Sequence, residues 1–462
     1  MLVALLPPLE AQQRPLPSGV APFVSVDTPL VALTHVQLVD GTGAPARADQ
    51  TVILNRDRIQ AVGPFATVPI PDNALVLDLA GHTLLPGLVG LHEHTYFGGV
   101  RRFTQMRVSA PLLYLAFGVT TAMTAGSRSP QEELDLKRRV DRGAIPGPRF
   151  HVSGPYLDAA PGGPVNRVSV TTPQEVRRVI AHWAGRGATW FKFLGGVSRE
   201  VLGAGIEEAH ARGLRVTGHL CSVTFTEAAA LGMDALQHGL ITNSDYVPGK
   251  RPDECPDANM EAQADVDLAS PAMQASIRAI VAGKAAVVST LGVYETFDPD
   301  RARLDPLALE MLAPETRREV EANHANLVRR GFVVPTRLLG KMMQWERMFV
   351  AAGGLLGAGS DPWGTGYLPG IGNLRNYEML VEAGFAPEEA VQIMTLNGAR
   401  ILGEDVRLGS IAPGKLADLV VVEGDPLRVS ADIYNVVTVF KDGIGYNSTR
   451  LRNAAKGKVG IE

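Results

Sequence analysis

The sequence predicts an α/β protein: a (β/α)8 TIM barrel carrying a small β-sandwich built from both chain termini. Three observations predict it. The middle of the chain alternates short apolar runs with amphipathic stretches, the rhythm of parallel βα units. Both flanks instead alternate apolar and polar residues between tight turns, as half-buried strands do. No dinucleotide fingerprint opens any βα unit, which argues against a doubly wound sheet.

In chain order, residues 1–23 read as a leader or the remnant of an export signal. MLVALLPPLEAQQRP has an apolar run and a small residue, Ala11, suited to cleavage, but no preceding basic residue, and Pro7 and Pro8 interrupt it. A cleaved signal would place the protein in the periplasm or outside the cell; a plain leader would leave it in the cytoplasm. From Leu30 to Leu84, VALTHVQLVDGTG, TVILNRDRIQAVGP and ALVLDLAGHTLLP read as strands joined by turns. The same texture returns in LGSIAPGKLADLVVVEGDPL and NVVTVFKDGIGY, so 24–84 and 404–462 are assigned to one β-sandwich domain.

The barrel is assigned to 85–403. Its strands are GLVGLHEH from Gly87, GVTTAMTAG from Gly118, PRFHVSG from Pro148 and TWFKFLGG from Thr189. RVTGHLCS from Arg215, ALQHGL from Ala235, AAVVSTL from Ala285 and GLLGAGSD from Gly354 complete the eight. Helical stretches such as TPQEVRRVIAHWAGRG and SREVLGAGIEEAHARG fall between most of them. The connection from Gly292 to Gly353 is long and is expected near the active-site mouth.

Composition excludes several classes of function. The chain has 462 residues, 45% hydrophobic and 20% charged, the profile of a globular protein. A formal net charge of −4 gives no reason to expect nucleic acid as a partner. No run reaches the length of a membrane span. With only Cys221 and Cys255, a disulfide framework and a cysteine-based zinc site are both excluded.

Reactive groups in such barrels sit at the C-terminal ends of strands. His92 and His94, at i and i+2 on the first strand, face one side and can share a ligand. His219 and His238 close two later strands, and imidazole suits zinc and its neighbours. Singly, each is as well explained as a packed histidine. Lys192 lies within a strand, where burial lowers the pKa of an amine. A neutral amine reacts with carbon dioxide to give a carbamate, an anionic ligand able to bridge two metal ions. The alternative for Lys192 is a structural ion pair. Asp361, after the small residues GGLLGAGS, can ligate a metal and carry a proton, or else serve as a turn residue. Together the groups satisfy two metals: His92, His94 and Asp361 on one, His219 and His238 on the other, and carboxylated Lys192 between.

This ordered set, with PGLVGLHEH, LVDGTG, FGVTTAMTAGS, VEAGFAPEEAVQIMTLNGARILG and GSIAPGKLADLVVVEGDP, resembles the amidohydrolase superfamily over nearly the whole chain. It is most similar to the imidazolonepropionase-like and prolidase-like branch. The resemblance implies two divalent ions, most commonly zinc, a bridging hydroxide, and His92, His94, Lys192, His219, His238 and Asp361 as ligands. Many relatives carry an acid just before the first histidine. Here that place is Leu91, and a carboxylate stands between the histidines as Glu93, expected to face away from the metals.

The resemblance implies amide hydrolysis: hydroxide attacks a carbonyl, and Asp361 passes a proton to the leaving nitrogen. Tyr96, His151 and Tyr246 are candidates to steady the oxyanion. Trp363 and Tyr294 are candidates for an aromatic wall, with Arg101, Arg102, Lys250 and Arg251 as partners for a carboxylate. Such a mouth suits a dipeptide, an N-acyl amino acid or an aryl amide of an amino acid, as in ochratoxin-hydrolysing relatives. The alternatives are a lactone or phosphotriester hydrolase, a mononuclear deaminase and a non-catalytic binding relative. A homo-oligomer is the expected assembly.

Overall fold

A computed structural model of the chain describes residues 16–98, 103–162, 165–256, 259–330 and 336–461. Most of the predicted leader lies outside the described residues. The fold is mixed α/β. The central strands are β1 (Leu88–Glu93), β2 (Val119–Thr124), β3 in two pieces (Arg149–His151 and Ser153–Asp158) and β4 (Trp190–Phe193). They continue with β5 (Arg215–Gly218), β6 (Ala235–Gln237), β7 (Ala286–Ser289) and β8 (Leu356–Ala358). Neighbours pair in parallel, in a three-stranded sheet over β1, β2 and the first piece of β3 and a seven-stranded sheet made of the second piece, β4 to β8 and a short edge strand, Val168–Ser169, beside the second piece.

Backbone contacts cross both gaps between these sheets. Ser127 bridges to Pro155 on one side. On the other, the Asp361 N–H donates to the His92 carbonyl at 2.7 Å, tying the end of β8 to the end of β1. Small residues make that second approach feasible. A Cβ on Gly359 would stand 2.3 Å from the His92 nitrogen, and one on Gly357 would stand 2.5 Å from Leu91 Cδ1.

Helices cover the strands with ordinary capping chemistry. In Pro173–Ala184, Thr172 Oγ1 accepts from the Glu175 N–H and Glu175 Oε2 accepts from the Thr172 N–H, closing a capping box. The long connection after β7 folds into Leu291–Glu295, Pro306–Met311, Pro314–Arg330 and Thr336–Ala351. No helix among the described residues is long and apolar enough to cross a membrane.

Both termini contribute to one nine-stranded sheet, joined where His82–Pro86 pairs antiparallel with Leu419–Glu423. Alternation gives that sheet two buried faces. Leu84, Leu419 and Val421 enter a core with Val31, Leu33, Val52 and Phe440, whereas Leu85, Val420 and Val422 join the large core of the strand array. The strand Leu30–Leu38 carries a bulge at His35, whose φ of 58° shifts the register between Leu33 and Val36.

One expectation is corrected. Cys221 and Cys255, read as too few for a disulfide framework, form one disulfide with Cα atoms 5.0 Å apart. A separation of 34 residues says nothing about proximity until the chain after β6 folds back over the end of β5.

Two tests address this packing. Gly359→Ala forces a Cβ into backbone and is expected to cost about 1–3 kcal/mol in chemical denaturation. Gly340→Ala, on an exposed helix position with nothing within 4 Å, is expected to stabilise by about 0.5–1 kcal/mol. Glu346 tests the cost of burial in the helix Thr336–Ala351. Its carboxyl is raised from 4.5 to about 8 by burial, the Ser289 hydroxyl offsetting only part. The folded chain then holds a proton that the unfolded chain releases, so this contribution falls as pH rises from 4.5 toward 8. Glu346→Gln is expected to gain roughly 2–5 kcal/mol on the wild type across that range in pH-dependent denaturation.

Candidate metal centre

A change of strand parity aims the histidines. Val89 and Leu91 of β1 point into an apolar floor with Met123, Trp190 and Val288. Pairing with β2 then slips, Gly90 lying opposite Ala122 and Glu93 opposite Thr124, so β1 carries one extra residue there. After the bulge His92 and His94 face inward and Glu93 faces out. The Glu93 carboxylate accepts from the Ser360 N–H and the Asn373 amide at 3.2 and 2.7 Å, and from the Ser360 hydroxyl at 2.5 Å. Burial still raises it to about 7. It braces the Ser360–Asp361 turn. Leu91 occupies the place of the missing acid as part of the floor.

Above the floor, Asp361 is the hub. Its Oδ1 lies 3.0 Å from His94 Nε2 and 3.5 Å from His92 Nε2, and its Oδ2 lies 3.8 Å from His238 Nδ1. Burial would raise this carboxyl, but His92, His94 and His238 together hold it well below the usual carboxylate range. Asp361 and His238 adopt left-handed backbone, with φ of 49° and 70°. Such strain persists only where the surroundings over-determine it, and it clusters at functional sites.

Lys192 Nζ is 2.8 Å from His92 Nε2 and 5.5 Å from the centre of the Tyr156 ring. Burial lowers the ammonium to about 8, with Asp361 opposing. The His219 and His238 rings meet edge to face at 4.7 Å. Burial lowers all four imidazoles, His219 to about 4, so they are neutral donors near neutral pH.

The chemistry of this set fits divalent metal. Neutral imidazoles and an ionised carboxylate converge, and the buried His238 Nε2 has no hydrogen-bond partner. Ligand atoms of His92, His238 and Asp361 all lie within 4.8 Å of one another, a grouping that crosses the division expected between two ions.

Supporting residues escaped sequence reading. Gln237 Oε1 lies 2.7 Å from His92 Nδ1, and Gln237 Nε2 donates to Thr217 Oγ1 at 2.6 Å. The amide therefore receives the Nδ1 proton, leaving the Nε2 lone pair for the centre. Thr290 Oγ1 lies 2.7 Å from His238 Nδ1. The Tyr156 hydroxyl is 3.4 Å from His94 Nδ1 and 2.7 Å from the Tyr96 hydroxyl. The signal for Tyr156 was available, since β3 runs on past Gly154 to Asp158.

The other expected contacts separate into two groups. Tyr96 stacks on His94 at 4.9 Å, Trp363 stands beside Tyr96 at 6.5 Å, and Tyr294 meets the His238 ring at 5.4 Å. His151 is not brought to the cluster; its Nε2 is 3.8 Å from Glu404 Oε1, and it feels Arg149, Arg215 and Arg407 instead. Tyr246 is turned toward Ser276, Asn243 and Trp345. Lys250 Nζ donates to the Ser222 and Arg251 carbonyls, and Arg251 pairs with Glu254. Arg101 and Arg102 lie outside the described residues.

A cleft of about 760 Å³ opens beside His219 and Tyr294. Leu194, Leu220, Ile241 and Phe297 line it, and Arg167 is the one Lys or Arg among its lining residues. Arg167 Nη1 donates to Asp158 Oδ2 at 2.8 Å, and Asp158 Oδ1 accepts from the Gly196 N–H at 2.9 Å.

The chain is similar to several known proteins. Residues 353–445 match the amidohydrolase family. An imidazolonepropionase of Streptomyces griseus subsp. griseus is 26% identical over 418 residues, covering 85% of this chain and 92% of that protein. The structure of a putative prolidase from Bifidobacterium longum superposes with a TM-score of 0.66 at 26% identity, over 90% of this chain and 94% of that one. The A. niger ochratoxinase shares the fold, with a TM-score of 0.63 at 18% identity over 91% and 96% of the two chains.

Gln237→Leu removes the acceptor that orients His92. It is expected to weaken divalent-metal affinity about 10–100-fold, measured by competition with a chromophoric chelator.

Proposed function

The chain is an amidohydrolase-superfamily hydrolase, and from that premise we propose that it cleaves an amide bond with two divalent ions held by His92, His94, Lys192, His219, His238 and Asp361. The observation that carries the reading is the Asp361 carboxylate facing three neutral imidazoles at the ends of β1 and β6. In this reading β1 to β8 close into a (β/α)8 barrel over 85–403. The segments 24–84 and 404–462 make a β-sandwich around their own core. Histidine-rich donors favour zinc.

When bound, such ions supply a nucleophilic hydroxide and polarise the carbonyl. The chain does the rest. The lowered pKa of Lys192 leaves a share of it as free amine, whose nitrogen bonds to the carbon of carbon dioxide and loses a proton, giving an anionic carbamate. Asp361 accepts a proton on its carboxylate and returns it to the leaving nitrogen, because an amide anion departs too poorly alone. Tyr156, steadied by the Tyr96 hydroxyl, takes the oxyanion role in place of His151 and Tyr246. The cleft accepts an apolar or aromatic acyl group against Tyr294 and Phe297. Arg167, held by Asp158, receives a carboxylate, so the substrate is a dipeptide, an N-acyl amino acid or an aryl amide of an amino acid.

A mononuclear deaminase is the second reading, and the tight grouping of His92, His238 and Asp361 favours it. Metal content per chain separates the two. The test of substrate class is turnover of a panel of such amides beside lactones and phosphotriesters. Metal-dependent turnover of amides is expected; turnover confined to lactones or phosphotriesters would sink the reading. Chelation should abolish activity and divalent metal restore it, and Asp361→Asn should lower kcat roughly 10²–10⁴-fold. Arg167→Gln should raise KM about tenfold for a free-carboxylate substrate and leave its carboxamide analogue unchanged.

A further inference from the structure

We propose that the Cys221–Cys255 disulfide is a reducible latch on one wall of the substrate cleft, holding residues 248–256 in place for substrate binding, whereas 243–247 are fixed independently by burial and by bonds of Ser244 to the Cys221 carbonyl and of Asp245 to Thr226 and Ser276. The inference rests on the reading of that cleft as the substrate site. Both cysteines line it together with His219 and Tyr294.

The two ends of the latch are anchored very differently. On the Cys221 side the backbone is bound to the end of β4. The His219 N–H donates to the Phe193 carbonyl at 3.0 Å, and the Ser222 N–H donates to the Gly195 carbonyl at 2.8 Å. Ser222 Oγ donates to the Val197 carbonyl at 2.5 Å. These bonds do not involve sulfur, so His219 keeps its place when the disulfide opens.

The Cys255 side is exposed from Arg251 to Cys255. Its other ties are peripheral. Asp253 accepts three bonds from Arg199, Oδ1 from the backbone N–H at 2.7 Å and from Nε at 3.1 Å and Oδ2 from Nη2 at 3.2 Å, in a pair with side chains 36% and 42% exposed. Lys250 Nζ donates to the Ser222 carbonyl at 2.6 Å. The Arg199–Asp253 contact is bidentate, but like Lys250 it is non-covalent and solvent-facing, so it opens and recloses locally where a covalent bond does not. The covalent bond is therefore the main restraint on this wall, and opening it should release the segment locally.

Access favours reduction from outside. Cys221 is buried, at 9% exposure, whereas Cys255 is exposed. The thiolate of a dithiol reductant attacks the Cys255 sulfur, and the Cys221 sulfur leaves with the electron pair and takes up a proton. The second thiol of the reductant then attacks its own sulfur in the mixed disulfide and frees the Cys255 thiol. Two electrons and two protons pass to the cysteines, and the reductant leaves as a cyclic disulfide.

The experiment compares oxidised wild type, dithiol-reduced wild type desalted and resupplied with zinc, and C221S/C255S, all full length. It reads amide hydrogen exchange of 248–256, KM and kcat on the best N-acyl amino acid of the panel, and metal content. Reduction is expected to speed exchange in 248–256, leave 243–247 protected and raise KM about tenfold, with kcat held within about twofold and metal content unchanged. C221S/C255S should match reduced wild type and ignore dithiol. Unchanged exchange and KM, with two free thiols titrated, overturn the latch; so does a fall in kcat that follows loss of metal, which would make the bond a brace for His219. If no amide is turned over, the amide reading fails by itself, and hydrogen exchange alone decides the latch.

Discussion

The site depends on one junction, the contact between the end of β8 and the end of β1. There the Asp361 N–H donates to the His92 carbonyl, while the Asp361 carboxylate faces His92, His94 and His238. A single residue thus joins the last strand to the first and supplies negative charge among imidazoles. The sequence accommodates this with glycine at 357 and 359, where side chains would strike Leu91 and His92. Left-handed backbone at Asp361 and His238 is the conformational cost, and Glu93, bonded to Ser360, braces the same turn from behind.

Burial and polarity are in tension throughout the centre. Four imidazoles and an amine are withdrawn from water, which drives them toward their neutral forms. Neutral nitrogen is the form that binds metal, so the desolvation that would destabilise a charged cluster prepares this one. Gln237 and Thr290 add direction, each meeting one ring nitrogen and leaving the other to the centre.

Much of this was legible in the sequence, and the reasons are local. His92, Lys192, His219, His238 and Asp361 stand in or just after short apolar strands, a position that hydrophobic patterning locates without a structure. Glu93 was readable as outward-facing because it alternates with two histidines, although the bulge that sets the parity was not. Tyr156 was missed because β3 was ended at Gly154, and Gln237 because nothing local distinguishes it from an ordinary strand residue. Partners that depend on distant chain segments left no local trace. The Cys221–Cys255 bond, the Glu404 neighbour of His151 and the pairing of His82–Pro86 with Leu419–Glu423 are of that kind.

The proposed centre has His92, His94, Lys192, His219, His238 and Asp361 holding a pair of divalent ions. Anomalous diffraction at the zinc edge, from crystals of the oxidised enzyme grown with zinc and bicarbonate, tests it most directly. Two peaks are expected, with carbamate density extending from Lys192 Nζ between them. A single peak held by His92, His238 and Asp361, with Lys192 unmodified, would contradict it.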